Sequence, residues 1–260
     1  MPLTYPDYLK LDQLLDLQVP RSAPPEHDEM LFIVIHQVYE LWFRLVLHEL
    51  DKVNRDFDDG DLYGAIATFK RIRTIMKTLV GQLDILETMT PLSFSSFRDR
   101  LDTASGFQSV QFRELEFALG LKRPQLLDNF PSGSPTRRTL EARLRAPSVT
   151  DHFYRFLVKR GVAVPAGLLE RDVTEAVSGN EALQTELLRV YHEQPDLVIL
   201  LELMTDLDEG FQEWRYRHVK LVERTIGAKH GTGGSSGVEF LKRSLFQPVF
   251  ADLWAIRHRM

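Results

Sequence analysis

The chain has 260 residues, 43% hydrophobic and 27% charged, an ordinary soluble composition with enough apolar mass for one large core or two small ones. A net charge of −5 at pH 7 excludes the basic footprint of general nucleic-acid binding, while leaving room for a local basic pocket. The lack of cysteine excludes a disulfide framework, a thiolate zinc site, an iron–sulfur cluster and a cysteine nucleophile, and fits a reducing, cytoplasmic setting.

The start, MPLTYPDYLK, has no basic region followed by an apolar run, so no signal peptide is expected. No membrane span is expected either, because the most apolar runs, at 31–35 and 198–201, are too short. Residues 1–25 read as an arm with three prolines after Val19 and a short helix at 8–17. A long helix follows at 28–57, with Leu31, Ile35, Val38, Trp42, Val46 and Leu50 at three- and four-residue spacing, and Asp58-Asp59-Gly60 ends it. A second long helix covers 62–89 and is stopped by Thr90-Pro91. Ser93 caps a short turn carrying Phe94, Phe97 and Arg98. Residues 105–119 form another helix, with Gly120 as its C-cap.

From 122 to 179 the pattern gives shorter helices and loops, with a surface turn at Pro131, Gly133 and Pro135. Residues 180–193 are helical, Pro195 opens a long helix over 196–226, and Gly227 closes it. Two short helices, 238–245 and 247–259, come after a glycine-rich loop. No strand pair with a turn signal and no fixed repeat is found. The expectation is an all-α protein, one domain over 1–260, built on long antiparallel helices.

Two histidines fall on apolar stripes. His218 shares a face with Leu207, Phe211, Trp214, Leu221 and Val222, and His36 lines up with Phe32, Tyr39 and Phe43. A lone histidine on an apolar face is ordinarily a core residue. Two of them on separate long helices also suit opposite walls of one cavity, where helical proteins hold cofactors. A neutral imidazole in an apolar pocket is a common haem-iron ligand. Zinc is disfavoured, because no His-x-x-x-His pair or His/carboxylate cluster surrounds His218. Arg98, in SSFRDR, suits either a carboxylate clamp or a surface pair with Asp99, and spacing alone favours the pair.

The loop Gly231-Thr232-Gly233-Gly234-Ser235-Ser236-Gly237 looks like a phosphate cradle, but it fails both phosphate motifs. Lys229 precedes the glycines, a helix precedes the loop, and the third glycine position of a dinucleotide fingerprint is Ser236. What is left is a donor-rich segment, with Thr232 and Ser235 hydroxyls, able to form an anion nest or to serve as a plain linker.

Taken together, TYPDYLKLDQLL, HDEMLFIVIHQVYELWF, ILETMTPLSFSSFRDRLDTASGFQSVQFRELE, WRYRHVKLVERTIG and KHGTGGSSGVEFL resemble the tryptophan 2,3-dioxygenase family, in order and over nearly the whole chain. Residues 122–200 are the least characteristic part. The resemblance implies helices around a haem b pocket in a cytoplasmic homotetramer that acts on L-tryptophan and O2. It implies His218 as the axial ligand of the haem iron and His36 on the distal side, facing the indole N–H. Phe32 would pack on the indole, Arg98 and Thr232 would hold the amino-acid end, and Ser105 and Gly106 would lie along the haem edge. Tyr5, Tyr8 and Leu9 would reach the pocket of a neighbouring subunit. Phe94 departs from those members that carry tyrosine there. A tailoring oxygenase acting on a β-methyltryptophan or a 3-alkylindole, with an oxindole product, is the related alternative. A helical haem-binding protein without turnover is the other.

Overall fold

The computed structural model describes residues 2–233 and 236–260, and among them every regular element is a helix. Two short helices, α1 (Tyr5–Leu9) and α2 (Leu11–Leu15), lead into α3 (His27–Asp59) and α4 (Leu62–Leu86). Next come α5 (Pro91–Arg98), α6 (Val110–Ala118), α7 (Pro135–Arg145), α8 (Val149–Lys159) and α9 (Ala166–Leu169). Then follow α10 (Glu181–Glu193), the long α11 (Pro195–Ile226), α12 (Val238–Lys242) and α13 (Ala251–Ala255). All-α architecture is therefore what the periodicity predicts and what the chain adopts.

The turn between α3 and α4 shows how local chemistry sets the frame. Gly60, at φ +79°, takes the left-handed conformation that closes α3, and its N–H returns to the carbonyls of Asp56 and Phe57. Asp61 then caps α4 by accepting from the Gly64 N–H at 2.9 Å. The reversal is tight, so α3 and α4 run antiparallel, and α11 packs along α4. Asp61→Ala is expected to cost about 1 kcal/mol of stability, the usual loss of an N-cap, measurable as a lower urea midpoint at unchanged slope.

One continuous core runs between these three helices, with Leu50, Phe57, Phe69, Leu79 and Met204 fully buried. A smaller cluster, which includes Phe117, Phe130 and Leu140, sits between α6, the 3-10 segment Pro124–Asn129 and α7. Asp208, fully buried on α11, ties down the C-terminal segment. Its Oδ2 accepts from the N–H groups of Val249 and Phe250 and from Trp254 Nε1, each at 2.9 Å.

Three elements depart from the sequence expectation. The helix expected at 8–17 is two helices, divided at Lys10 with φ 56°. The helix expected at 105–119 begins as a 3-10 turn, Gly106–Gln108, and restarts at Val110, because Ser109 accepts from Phe112 N–H as a second N-cap. The segment expected as a helix at 247–259 is α13 followed by a 3-10 turn, Arg257–Arg259. In addition, an 18-residue window of α3 reaches mean hydropathy 1.5, enough by length and composition to cross a membrane, where the sequence reading expects no such stretch. Of that window 28% is buried inside the protein, and α4, α6 and α8 pack on α3.

Candidate active site

A cavity of about 290 Å³ opens between α3, α5, α6, α11 and α12, near the lower size limit of ligand pockets. Both striped histidines line it, as do Phe32, Arg98, Thr232, Ser105 and Gly106. The sequence-derived candidates thus share one space, apart from the arm residues.

His36 projects from α3 one turn after Phe32. Its Nδ1 lies 2.7 Å from the Phe32 carbonyl oxygen, which can only accept, so Nδ1 carries the proton and Nε2 presents a lone pair. Burial lowers the pKa of this ring and keeps it neutral. The Phe32 ring lies over it, centroids 4.1 Å apart, and also meets Phe94 at 5.7 Å and Phe97 at 5.6 Å. The result is a continuous aromatic wall. Glu40, a cavity residue one turn after His36, is fastened to α6: Gln111 Nε2 donates to its carbonyl and to its Oε2, both at 2.9 Å.

His218 projects from α11. Its ring is parallel to Trp214, with a 7° angle between planes and 5.2 Å between centroids. Burial pushes its pKa down to about 4, and the nearby Arg113 charge pushes in the same direction. Among the described residues it forms no hydrogen bond, so this neutral imidazole has a nitrogen lone pair to give.

The glycine loop lies across the segment before α6. Thr232 Oγ1 donates to the Ala104 carbonyl at 2.6 Å. A Cβ added at Gly233 would stand 2.8 Å from Ser105 Cβ, so only glycine permits this approach. Ser105 in turn caps the 3-10 turn: its Oγ accepts from Phe107 N–H at 3.3 Å, and its N–H donates to Gln108 Oε1 at 3.4 Å. At Gly106 an added Cβ would meet no atom within 4 Å. Ser235, offered as a loop donor on sequence grounds, lies outside the described residues together with Gly234.

Arg98 is not paired with Asp99. Its Nη2 donates to the His230 carbonyl at 2.7 Å, so the guanidinium joins α5 to the glycine loop at the cavity rim. Tyr5, Tyr8 and Leu9 are 72%, 71% and 40% exposed, and none of them lines the cavity of their own chain. Sequence reasoning missed a charged group on the cavity wall, the buried Arg113, Glu116 and Arg215 with the partly exposed Arg123. Its signal was present as charges inside the otherwise apolar α6 stripe FRELEFA.

The family model described as tryptophan 2,3-dioxygenase matches residues 1–132 and 169–260. A protein named tryptophan 2,3-dioxygenase from Herpetosiphon aurantiacus is 55% identical over 255 residues, covering 98% of this chain and 97% of its own. One of the same name from Anaeromyxobacter sp. (strain K) is 51% identical over 260 residues, with 98% and 95% covered. Another, from Bacillus cereus, is 41% identical over 261 residues, with 99% and 93% covered. With this identity end to end, and with the cavity built from the motifs that carry the likeness, the chain belongs to the tryptophan 2,3-dioxygenase family.

Proposed function

We propose that the protein is a haem-dependent dioxygenase that inserts both atoms of O2 across the indole C2–C3 bond of L-tryptophan, giving N-formylkynurenine. The observation that carries this reading is one cavity holding a neutral, uncommitted imidazole, a second imidazole with its acceptor nitrogen free, and a guanidinium at the rim.

The residues present fit haem b. His218 has the lone pair an axial ligand needs, and its low pKa leaves that lone pair free of protons at neutral pH. The walls are mostly aromatic and aliphatic, and Ser105 and Gly106 provide a smooth edge. Among the described residues no group of three or more His, Asp or Glu could hold a bare metal ion, which suits a metal brought in by a macrocycle. When bound, haem supplies the iron and with it the dioxygen chemistry.

The chain's own side chains position the substrate and keep water out. His36 Nε2 accepts from the indole N–H, since Nδ1 is held by Phe32. Phe32 and Phe94 pack against the indole plane, with the fully buried Phe97 behind them. Arg98 uses the N–H groups not given to His230 to clamp the α-carboxylate. The Thr232 hydroxyl proton is committed to Ala104, so its oxygen lone pairs face outward for the α-ammonium. With phenylalanine at 94, no phenol assists at the carboxylate, and the clamp falls to Arg98.

The same reading gives Tyr5, Tyr8 and Leu9 a place in a neighbouring subunit's pocket within a homotetramer. Their exposure on their own chain supports it. Reduced, haem-loaded protein given L-tryptophan in ¹⁸O₂ is expected to yield a ring-opened product with two labelled oxygens. A single labelled oxygen, or turnover of a β-methylated analogue only, would overturn the assignment in favour of a tailoring oxygenase.

A further inference from the structure

Four charged side chains have no task in the scheme above, yet they meet on one wall of the cavity. Glu116 of α6 is 1% exposed and accepts from three guanidiniums. Arg113 Nη1 donates from one turn earlier, Arg123 Nη2 from beyond the end of α6, and Arg215 Nη2 from α11 at 3.3 Å. Arg215 Nη1 also donates to the carbonyls of Ser244 and Gln247, at 3.4 and 3.1 Å. Arg113 and Arg215 are only 6% and 4% exposed, and all four side chains line the cavity.

The charges in this cluster do not balance. Three cations share one anion, although buried charge is stable only when paired. Asp208, the other acid close enough to influence Arg215, offsets part of its charge but accepts no hydrogen bond from it. Its Oδ2 is held by Val249, Phe250 and Trp254, and its Oδ1 by Gln212 Nε2 at 3.0 Å. The donors do not balance either: the buried Nε–H of Arg113, Arg123 and Arg215 each lack an acceptor. A surplus of cations is costly in a structural ion pair and useful in a ligand site. The wall offers the cavity a surplus of positive charge, while the Nε–H groups themselves sit behind its surface. Arg215 lies three residues, nearly one helical turn, before His218, so the cluster and the axial ligand share one end of α11.

Haem b carries two carboxylates on one edge of the ring, which is the complement of this surplus. Resting on the haem reading above, we propose that Arg113, Arg123 and Arg215, held at fixed spacing by Glu116, form the subsite that binds the two propionate carboxylates. Glu116 is a positioning residue: it keeps the three guanidiniums together in the apoprotein, and the propionates complete the neutralisation. The cluster thereby fixes which edge of the macrocycle enters between α6 and α11.

The test is a binding titration of apoprotein, followed through the Soret band, with ferric protoporphyrin IX and with its dimethyl ester. Iron and macrocycle are the same in both, and only the carboxylate charge differs. The wild type is expected to favour the diacid by about 100-fold, the scale of two charge-assisted hydrogen bonds. In Arg215→Met and Arg113→Met the diacid is expected to lose most of this preference, while ester binding stays within about threefold. Arg123→Met, at the more exposed position, is expected to show a smaller loss of the same kind and keeps the test open should a fully buried variant fail to fold. Equal binding of diacid and ester by the wild type would overturn the subsite alone. A parallel loss of both in every variant would do the same, by assigning the arginines to folding. If neither porphyrin binds, the haem reading falls and the subsite with it.

Discussion

Replacing His218 with alanine is expected to strip the protein of most of its haem. Partners that only orient a metal ligand are commonly worth about 10–100-fold in metal affinity. Removing the ligand itself should therefore exceed about 100-fold, or roughly 3 kcal/mol. The side chain is well suited to isolate this effect. It stacks on Trp214 but makes no hydrogen bond among the described residues, so its removal leaves no buried partner unsatisfied. The variant should therefore fold, as judged by far-ultraviolet circular dichroism, and free imidazole should restore part of the lost Soret intensity. Full haem loading with an unchanged spectrum would refute the axial assignment.

The second large effect is expected at Arg98. Losing one partner of a partly desolvated charge pair costs about 2–3 kcal/mol, or roughly 30–150-fold in kcat/KM for L-tryptophan. Because Arg98 also holds the His230 carbonyl, Arg98→Leu should loosen the glycine loop for every substrate. The comparison that matters is therefore between L-tryptophan and 3-methylindole, which has no carboxylate to lose. A loss several-fold to tens-fold larger for the amino acid is the expected result. Equal losses would leave Arg98 as a loop fastener and remove it from substrate recognition.

The contrast between these two residues shows how far the sequence could be read. His218 was visible as a candidate because helical periodicity puts it on a stripe with Phe211 and Trp214, and periodicity is a local property. The same holds for the ends of α3 and α11, which stop at glycines that the backbone conformation requires. Arg98 was different. Its contact is with His230, 132 positions away, and no local pattern distinguishes a clamp from a surface ion pair. Only the family resemblance singled it out. The break at Lys10 was invisible for a related reason, since no glycine or proline marks it. The arginines around Glu116 are dispersed over α6, α11 and the segment between α6 and α7, so their charge surplus exists only after folding.

The length of α3 has one more consequence. His36 stands near one end, and Phe57 near the other packs its ring against Phe153 and Phe156 of α8. Twenty-one residues of helix separate the two positions by about 30 Å. α8 lies inside the stretch 133–168 that the family model leaves unmatched. The rod thus spaces the segment that the family model leaves unmatched well away from the distal histidine. Substitutions at exposed positions of α8, such as Val158, can be tried without disturbing the chemistry at the other end, whereas its inner face belongs to the core.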